Sequence, residues 1–339
     1  MEKLKVLSLF SGIGAFEKAL TNLGIDFELK GFSEIDKYAV NSYCAIHNCD
    51  KNLNLGDITK INVEDIKFDI DLLTHGSPCQ SFSSAGKQEG GDEGSGTKSS
   101  LLWYSVNIIK HKKPKYIVWE NVKNVLSAKH KHNFDKYIET LNGYGYNSYY
   151  KVFNSKDYGV PQNRERIFVV SIRKDIDNGE YKLPQPFKLQ KSIKDIADEV
   201  VDEKYIVPYQ NMYNFCTRNE EWSKRVKIKK LSDYANCLVA KSGRACRTNN
   251  YIFNNFNEYD DCKFEMNDVL SIIDSGIKLR ALTPLEYFRL QGFYDGDFNK
   301  AKDIGISDAQ LYKQAGNSIT VDIPYYIFKE LFKEYITIK

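Results

Sequence analysis

The stretch Val6-Leu-Ser-Leu-Phe-Ser-Gly-Ile-Gly-Ala-Phe16 decides the fold of this chain. An apolar run ends in a glycine turn, and the residues from Ala15 to Leu23 then carry apolar side chains at helical spacing. Gly12 and Gly14 allow the backbone to turn sharply and to approach a ligand closely. A strand, a glycine turn and a helix in this order predict a ligand site at the carboxyl end of a parallel sheet.

The alternation of short apolar runs with helical stretches continues through the first 175 residues. Strands are predicted at Val6–Phe10, Gly31–Ile35, Ile70–His75, Tyr116–Glu120, Tyr149–Asn154 and Ile167–Ile172. Helices are predicted between them, at Ala15–Leu23, Lys37–His47, Leu101–Lys112 and Asn133–Leu141. The predicted fold class is therefore α/β, with a doubly wound, mostly parallel sheet that has helices on both faces.

The character of the sequence changes after residue 173. Residues 176–278 are rich in Asn, Lys, Asp and Tyr and show little periodicity, which predicts a smaller, irregular second domain. We therefore expect three parts: a first domain at 1–175, the irregular domain at 176–278, and a C-terminal segment at 279–339. The last helix of that segment has one apolar face, so it is expected to pack back on the first domain.

Composition and charge narrow the class of protein. The 339 residues are 42% hydrophobic and 27% charged, with a net charge of +3, and no apolar run approaches the roughly 18 residues of a spanning helix. Seven cysteines without a CxxC pair indicate a reducing cytoplasm, and neither a disulfide framework nor a zinc site. Eight basic residues against one acid between Trp222 and Arg247 form a basic patch that either contacts phosphates or is simply solvated.

Acidic side chains near the predicted strand ends indicate an adenosine-bearing cofactor. Glu34 ends the second predicted strand, where an acid typically binds ribose hydroxyls. Asp57 follows Gly56 and is placed to accept a hydrogen bond from an adenine amino group. Glu17 stands where a dinucleotide fingerprint has its third glycine, and its charge would repel a pyrophosphate. S-adenosylmethionine fits a cofactor that has adenosine and lacks a pyrophosphate.

Reactive side chains follow two other predicted strands. Cys79, in Gly76-Ser-Pro-Cys-Gln80, stands at a strand exit where a thiol is placed for nucleophilic attack. Glu120 ends a buried strand, either as a functional carboxylate or as a helix cap. Arg164 and Arg166 alternate along a predicted strand, and they either clamp one carboxylate or phosphate or form a surface ion-pair strip.

Together these segments resemble the cytosine-5 DNA methyltransferase family of bacteria and phages, over nearly the whole chain. The matching segments are Leu9-Phe-Ser-Gly-Ile-Gly14, Glu34, Gly56-Asp-Ile58, Gly76-Ser-Pro-Cys-Gln80, Glu120-Asn-Val122, Tyr158-Gly-Val-Pro-Gln-Asn-Arg-Glu-Arg166, Arg280-Ala-Leu-Thr-Pro-Leu-Glu286, Arg289-Leu-Gln-Gly292 and Gln314-Ala-Gly-Asn-Ser318. Their order and spacing agree with that family, so the joint signal is far more specific than any single motif.

The resemblance implies that a methyl group passes from S-adenosylmethionine to carbon 5 of a cytosine flipped out of a short, specific duplex sequence. It implies that Cys79 forms a covalent adduct with the base, that Glu120 contacts ring nitrogen 3 and the exocyclic amine, and that Arg166, with Arg164 beside it, supports the charge redistribution. The implied cofactor pocket consists of Phe10, Gly12, Gly14, Glu34, Ile35, Asp57, Ile58, Pro78, Asn317 and Ser318.

The implied DNA contacts come from a loop and from the second domain, which by the resemblance recognises the target. The loop at 80–100 contains five glycines and six serines and is expected to close over DNA. Cys237 stands where many members of the family have a threonine. The predicted DNA-contacting residues are Gln80, Ser83, Lys98, Lys227, Lys229, Arg244 and Arg247, of which the last two contact either guanine bases or only phosphates.

Other functions are weighed against DNA methylation. A tRNA cytosine methyltransferase would share the motifs, but the full-sized basic middle domain favours DNA. A silent nucleic-acid-binding module has no use for a thiol and a carboxylate aimed at one base, and an NAD-linked dehydrogenase is disfavoured by Glu17.

We expect a cytoplasmic monomer, in a bacterium or a phage-infected cell, that acts on double-stranded DNA without a membrane or a metal. A restriction-modification role with a companion restriction endonuclease is left open.

Overall fold

The computed structural model describes residues 2–82, 89–217, 227–240, 250–253, 271, 274, 276 and 278–336, and only the backbone of 212, 215–217 and 227. The chain divides into two compact units. The first consists of Met1–Asn154, Glu165–Pro186 and Val321–Lys339, and the second of Ser155–Arg164 and Phe187–Thr320. Each unit is therefore assembled from segments that are far apart in the sequence.

The elements are numbered along the described chain. The strands are β1 Leu4–Leu9, β2 Phe27–Ser33, β3 Leu72–His75, β4 Tyr116–Val122, β5 Tyr146–Asn154, β6 Gln162–Asn163, β7 Glu165–Arg173, β8 Lys227–Ile228, β9 Ala235–Asn236, β10 Asn250–Phe253 and β11 Leu279–Ala281. The α-helices are α1 Ala15–Asn22, α2 Lys37–His47, α3 Leu102–Lys112, α4 Lys131–Gly143, α5 Tyr209–Thr217, α6 Pro284–Arg289, α7 Asp295–Asp303, α8 Asp308–Asn317 and α9 Asp322–Leu331.

A six-stranded sheet in the order β2-β1-β3-β4-β7-β5 forms the centre of the first unit. Strands β2, β1, β3 and β4 run parallel, whereas β7 is antiparallel to both of its neighbours. Successive residues of a strand point to opposite faces, and both Val6 and Leu7 of β1 are 0% exposed, as are Leu72 and Leu73 of β3. The sheet is thus covered on both faces, which confirms the predicted doubly wound, mostly parallel α/β class.

Helices on the sheet complete the apolar core of the first unit. Ile109 of α3 and Phe134 of α4 are buried in one cluster with Leu73 and Trp119 of the central strands. Helix α9 contacts α1, and the ring centroids of Phe16 and Phe328 lie 6.2 Å apart. The end of the chain therefore packs on the helix that follows its first strand.

The second unit contains two small sheets and a helical segment. Strands β11, β10 and β8 form one sheet, and β6 pairs with β9 in the other. Arg280 of β11 and Glu286 of α6 form an ion pair at 2.8 Å with both side chains 0% exposed. Thr283 begins α6 in a capping box with Glu286, and Pro284 occupies the first turn, where its missing amide proton costs no hydrogen bond.

All six strands and four helices predicted in the first 175 residues are present; the helix at Lys37–His47 has the predicted bounds, and the others have shifted ends. The largest shift is at β2, which begins at Phe27 rather than Gly31. This strand lies at the edge of the sheet, and the ion-paired Glu28 and Lys30 face out between its apolar residues. An edge strand with one polar face has no continuous apolar run. A prediction based on apolar runs therefore misses the first residues of this strand.

The bounds of the two units differ from the expected domains at three places. Residues 176–186, expected in the irregular domain, belong to the first unit. Residues 155–164 belong to the second unit, where Gln162 and Asn163 of β6 pair with β9. Residues 279–320 also belong to the second unit, and the chain rejoins the first unit only at Val321. His130 is 1% exposed, and its ring centroid lies 5.3 Å from that of Phe82.

Candidate active site and cofactor pocket

Cys79 lies in the turn that follows strand β3, and this turn is anchored to β4. Trp119 Nε1 donates to Ser77 Oγ at 3.0 Å, and Asn121 Nδ2 donates to the carbonyl oxygen of Ser77 at 3.2 Å. Trp119 and Asn121 stand on either side of Glu120 in the sequence. These two bonds therefore tie the cysteine turn to the strand end that carries Glu120.

The other side of the cysteine turn is held by Ser99, in the short helix before α3. Ser99 Oγ donates to the carbonyl oxygen of Pro78 at 2.9 Å and accepts from the amide of Ser81 at 3.1 Å. The amide of Phe82 donates to the carbonyl oxygen of Cys79 at 2.9 Å, which closes the turn. Cys79 itself is half-buried and packs against the apolar core. The turn thus presents the thiol at the margin of the core.

Glu120 and Arg166 form an ion pair across adjacent strands. Glu120 lies in β4 and Arg166 in the antiparallel strand β7, and Arg166 Nε is 3.1 Å from Glu120 Oε1. Glu120 is 8% exposed, and a carboxylate this buried is costly unless a partner compensates its charge. Both residues were expected at the site, but the bond between them follows from the adjacency of β4 and β7, which the sequence pattern does not specify.

Arg164 lies elsewhere than expected. It is 3% exposed and belongs to the second unit, where Nη1 donates to the carbonyl oxygen of Leu238 at 3.1 Å and Nη2 to that of Ser318 at 2.7 Å. Its Nη1 is also 3.4 Å from Cys237 Sγ. The expected pair of arginines on one side of a single strand is not formed, because β6 ends and β7 begins on either side of Arg164.

The turn between β1 and α1 has three residues with a left-handed φ and is supported from α2. Phe10, Gly12 and Gly14 have φ angles of 54°, 55° and 81°. His47 Nε2 donates to the carbonyl oxygen of Ile13 at 3.0 Å, and a Cβ on Gly14 would lie 2.1 Å from that nitrogen. A Cβ on Gly12 would meet nothing within 4 Å. The turn is therefore closely packed below Gly14 and open beside Gly12.

Glu34 follows β2 and reaches the glycine turn. Its Oε2 accepts from the amide of Gly12 at 3.0 Å, and its Oε1 accepts from the amides of Ile35 and Asp36, both at 2.8 Å. Burial raises the pKa of the Glu34 carboxyl above its ordinary value, and these amide hydrogen bonds offset part of that effect. Ile35 is 76% exposed. The Glu34 carboxylate thus adjoins the open part of the turn, and the next residue in the chain has an exposed apolar side chain.

Asn54 joins Glu34 to the segment that carries Asp57. Asn54 Oδ1 accepts from the amides of Glu34 and Gly56 at 3.1 and 3.0 Å, and Nδ2 donates to the carbonyl oxygen of Glu34 at 3.0 Å. Asp57 accepts from the amide of Thr59 at 3.0 Å, and hydrogen bonds from Thr59 lower the pKa of the Asp57 carboxyl. Asn54 was not identified from the sequence, because an asparagine in a loop is a common turn residue.

Glu17 does not present a charge to the turn. It lies in the first turn of α1 and is 1% exposed. Burial raises the pKa of its carboxyl to about 7, and the nearby hydroxyls of Ser8 and Tyr43 offset only part of the rise. The expected repulsion between Glu17 and a pyrophosphate is therefore not supported, because the side chain is in the interior.

The other residues expected in the cofactor pocket differ in exposure. Ile58 is 4% exposed and Pro78 is half-buried, both in the first unit. Asn317 is exposed and Ser318 is 6% exposed, and both belong to the second unit.

The residues expected to contact DNA are only partly described. Gln80 and Lys98 of the first unit are exposed. Lys229 of the second unit is half-buried, and its amide donates to the carbonyl oxygen of Tyr251 at 2.7 Å. Lys227 is described only as backbone of β8. Three further predicted residues lie outside the described part of the chain: Ser83, Arg244 and Arg247.

The described part of the chain contains neither a candidate metal site nor a candidate membrane span. Among the described residues, no group of three or more His, Cys, Asp or Glu side chains is placed to hold a metal ion. No helix in the described ranges is both long enough and apolar enough to cross a membrane.

The sequence model of the C-5 cytosine-specific DNA methylase family matches residues 4–333, a span that includes the glycine turn, Cys79, Glu120 and Arg166. The chain belongs to this family. It is therefore a methyltransferase that modifies cytosine in DNA at carbon 5, which confirms the function expected from the motifs.

Relatives of this C-5 cytosine-specific DNA methylase match it over nearly their whole length. It is 36% identical to the orphan methyltransferase M.SPRI of Bacillus phage SPR over 99% of both chains. It is 33% identical to the type II methyltransferase M2.ScrFI of Lactococcus lactis subsp. cremoris, covering 97% of this chain and 99% of that protein. Its fold is similar to the crystal structure of the Dnmt2 methyltransferase of S. pombe, with a TM-score of 0.77, 20% identity, and 98% and 99% of the two chains covered.

Proposed function

We propose that this methylase uses Cys79 as the nucleophile toward a cytosine of double-stranded DNA, with S-adenosylmethionine bound at the turn between β1 and α1. The observation that carries the proposal is the anchoring of the cysteine turn through Ser77 to the residues on either side of Glu120. Arg166 pairs with Glu120 at 3.1 Å. A thiol, a carboxylate and a guanidinium thus belong to the ends of adjacent strands. They lie at the carboxyl ends of the parallel strands, where ligands bind in α/β proteins.

The residues of the turn fit S-adenosylmethionine. The space beside Gly12 is open, the Glu34 and Asp57 carboxylates suit ribose hydroxyls and an adenine amine, and the exposed Ile35 suits the face of an adenine ring. S-adenosylmethionine supplies an electrophilic methyl group when it is bound there. We include in the same pocket the other residues of the first unit that the family resemblance implies, Phe10, Gly14, Ile58 and Pro78.

The chemistry proposed for the side chains begins with the thiolate of Cys79. Its sulfur adds to carbon 6 of the cytosine and makes carbon 5 nucleophilic. Glu120 holds ring nitrogen 3 and the exocyclic amine, and Arg166 keeps the Glu120 carboxyl in position. After carbon 5 has taken the methyl group, a base removes its proton, the bond from sulfur to carbon 6 breaks, and the thiolate is regenerated. His75 lies in β3, shortly before the cysteine turn. Burial lowers its pKa to about 3, so it is neutral at pH 7 and adds no charge near the thiol.

Carbon 6 of a stacked base is out of reach of a side chain, so the target cytosine must leave the duplex. We assign catalysis and cofactor binding to the first unit and recognition of a short, specific sequence to the second. Lys229 of the second unit and the exposed Gln80 and Lys98 of the first are proposed DNA contacts. The phage and bacterial origins of the relatives support action in the cytoplasm of such cells. We also propose that the enzyme acts as a monomer.

A duplex that contains 5-fluorocytosine at the target tests the role of Cys79. The methylated sites are first mapped by bisulfite sequencing of DNA treated with the enzyme. Because fluorine cannot leave carbon 5 as a proton does, a covalent complex should accumulate, and peptide mapping by mass spectrometry should find the adduct on Cys79. Cys79→Ser should form no adduct and lose about a thousandfold or more in turnover, while it still binds S-adenosylhomocysteine.

Cys49→Ser is the matched control, because Cys49 is a half-buried thiol beyond the end of α2. This variant should form the adduct at the wild-type rate. An adduct on a cysteine other than Cys79, or substantial turnover by Cys79→Ser, would show that the nucleophile is wrongly assigned.

A further inference from the structure

One side-chain amide connects the two acidic segments of the proposed cofactor pocket. Asn54 lies in the loop that leads from α2 to Asp57, and it forms an isolated parallel bridge with Phe32 of β2. The next amide, of Leu55, donates to the carbonyl oxygen of Phe32 at 2.7 Å. The backbone of this loop is thereby held alongside the end of β2, and the half-buried Asn54 side chain lies beside the residues that follow that strand.

Both the oxygen and the nitrogen of the Asn54 side-chain amide form hydrogen bonds. Its oxygen accepts from the backbone amides of Glu34 and Gly56, and its nitrogen donates to the carbonyl oxygen of Glu34. An aspartate of the same length could accept from both amides, but an ionised carboxylate has no hydrogen to donate. Both backbone groups of one residue, the amide and the carbonyl of Glu34, are therefore held by a side chain 20 positions further along the chain.

These bonds extend from the glycine turn to Asp57. The Glu34 carboxylate accepts from Gly12, the Glu34 backbone is held by Asn54, and Asn54 also holds the amide of Gly56. Gly56 has a left-handed φ of 72°, so the chain turns sharply immediately before Asp57. The position of the Asp57 carboxyl therefore depends on the position in which the Gly56 amide is held.

We propose that Asn54 is a positioning residue for the cofactor: it sets the separation between the Glu34 and Asp57 carboxylates. This inference rests on the proposed pocket, in which those carboxylates receive the ribose and the adenine amine. Asn54 acts through the backbone of Glu34 and Gly56, so its loss alters the binding of the adenosine moiety. The Cys79 turn is anchored instead by Ser77 and Ser99, so the attack on the cytosine is unaffected.

The test compares Asn54→Ala and Asn54→Asp with wild type in three measurements: the Kd for S-adenosylhomocysteine by calorimetry, the KM values for S-adenosylmethionine and DNA, and kcat. Asn54→Ala should raise the cofactor Kd and KM about tenfold, the equivalent of about 1.4 kcal/mol. Asn54→Asp should also bind several-fold more weakly, because its carboxylate faces the Glu34 carbonyl oxygen. In both variants kcat at saturating cofactor and the KM for DNA should stay within about twofold of wild type.

The matched control is Asn52→Ala, an exposed asparagine two positions earlier in the same loop, which should leave all of these constants unchanged. A cofactor Kd for Asn54→Ala within twofold of wild type would overturn the proposal. A parallel loss in cofactor Kd, KM for DNA and kcat would also overturn it, because that pattern indicates general misfolding of the unit.

Glu34→Gln separates this inference from the pocket on which it rests. If Glu34→Gln weakens S-adenosylhomocysteine binding and Asn54→Ala does not, only the role of Asn54 is wrong. If Glu34→Gln binds S-adenosylhomocysteine as tightly as wild type, the proposed cofactor pocket itself is wrong.

Discussion

Glu17 is a carboxyl group in the interior of the first unit, one turn of helix beyond the glycine turn. The hydroxyls of its neighbours Ser8 and Tyr43, from β1 and α2, compensate only part of the cost of burial, so the pKa of Glu17 is raised from 4.5 to about 7. At this scale a single side chain makes the stability of the fold depend on pH.

The stability of the wild-type protein should fall as pH rises from 4.5 to about 7. Over this window the folded state keeps the Glu17 proton that the unfolded state releases, so the contribution is complete below pH 4.5 and is lost as pH passes about 7. The loss amounts to about 3 kcal/mol at most. Glu17→Gln is neutral throughout and should remove this dependence, as measured by urea unfolding at pH 5, 6 and 7.5.

The exposed Glu64→Gln is the control for Glu17→Gln and should retain the wild-type pH dependence. An identical slope of stability against pH in Glu17→Gln and wild type would show that Glu17 is not the titrating group.

The turn between β1 and α1 shows how one element is shaped by another. Gly14 has a left-handed φ of 81°, and the space a Cβ would occupy is filled by the side chains of His47 and Tyr43 from α2. The hydrogen bond from His47 of α2 to the carbonyl oxygen of Ile13 also holds the turn in place. The cofactor turn therefore has its shape only when α2 is packed beneath it.

Gly14→Ala should destabilise the first unit and weaken binding of S-adenosylhomocysteine. The strain of a left-handed alanine costs about 1–2 kcal/mol, and the contact with His47 adds about 1–3 kcal/mol of overpacking. Gly24→Ala is the matched control: its φ is 69°, and a Cβ there would meet nothing within 4 Å. Thermal unfolding should therefore show a larger loss for Gly14→Ala, whereas equal losses would mean that α2 yields to the added methyl group.

At the scale of the whole molecule, the chain leaves the first unit and returns to it twice. It leaves after Asn154, returns at Glu165, leaves again after Pro186 and returns at Val321. The last segment contributes α9, whose Ile327 and Phe328 are 0% exposed in the unit that begins with β1. The N-terminal core is therefore incomplete until the final helix has packed.

Phe328→Ala should lower the free energy of unfolding by about 3–5 kcal/mol, because it leaves a cavity beside Phe16 of α1. The affinity for S-adenosylhomocysteine should fall as well, since α1 follows directly from the glycine turn. Lys329→Ala, at the exposed next position, is the control and should change stability by less than about 0.5 kcal/mol. Equal unfolding midpoints for the two variants would contradict a role for α9 in this core.

Much of the catalytic unit follows from short-range patterns in the sequence. Apolar runs and helical spacing predicted the four α-helices and six of the seven strands described in the first 175 residues, because side-chain periodicity is a local property of the backbone. The two-residue strand β6 was missed, because it is too short to show a period. The predicted positions of Cys79 and Glu120 near strand ends required only the order of turn residues and apolar runs. The family itself was evident from the order of the motifs, and the match over residues 4–333 confirmed it.

Tertiary structure decided which of these residues meet. The ion pair of Glu120 with Arg166 depends on β7 lying beside β4, and Arg164 is buried against the carbonyl oxygens of Leu238 and Ser318 rather than beside Arg166. The bonds of Asn54 likewise join segments 20 residues apart. The sequence by itself determined the elements, the family and the candidate reactive groups. Strand order and burial decided their partners and pKa values, because hydrogen bonds and desolvation depend on neighbours that are distant in the chain.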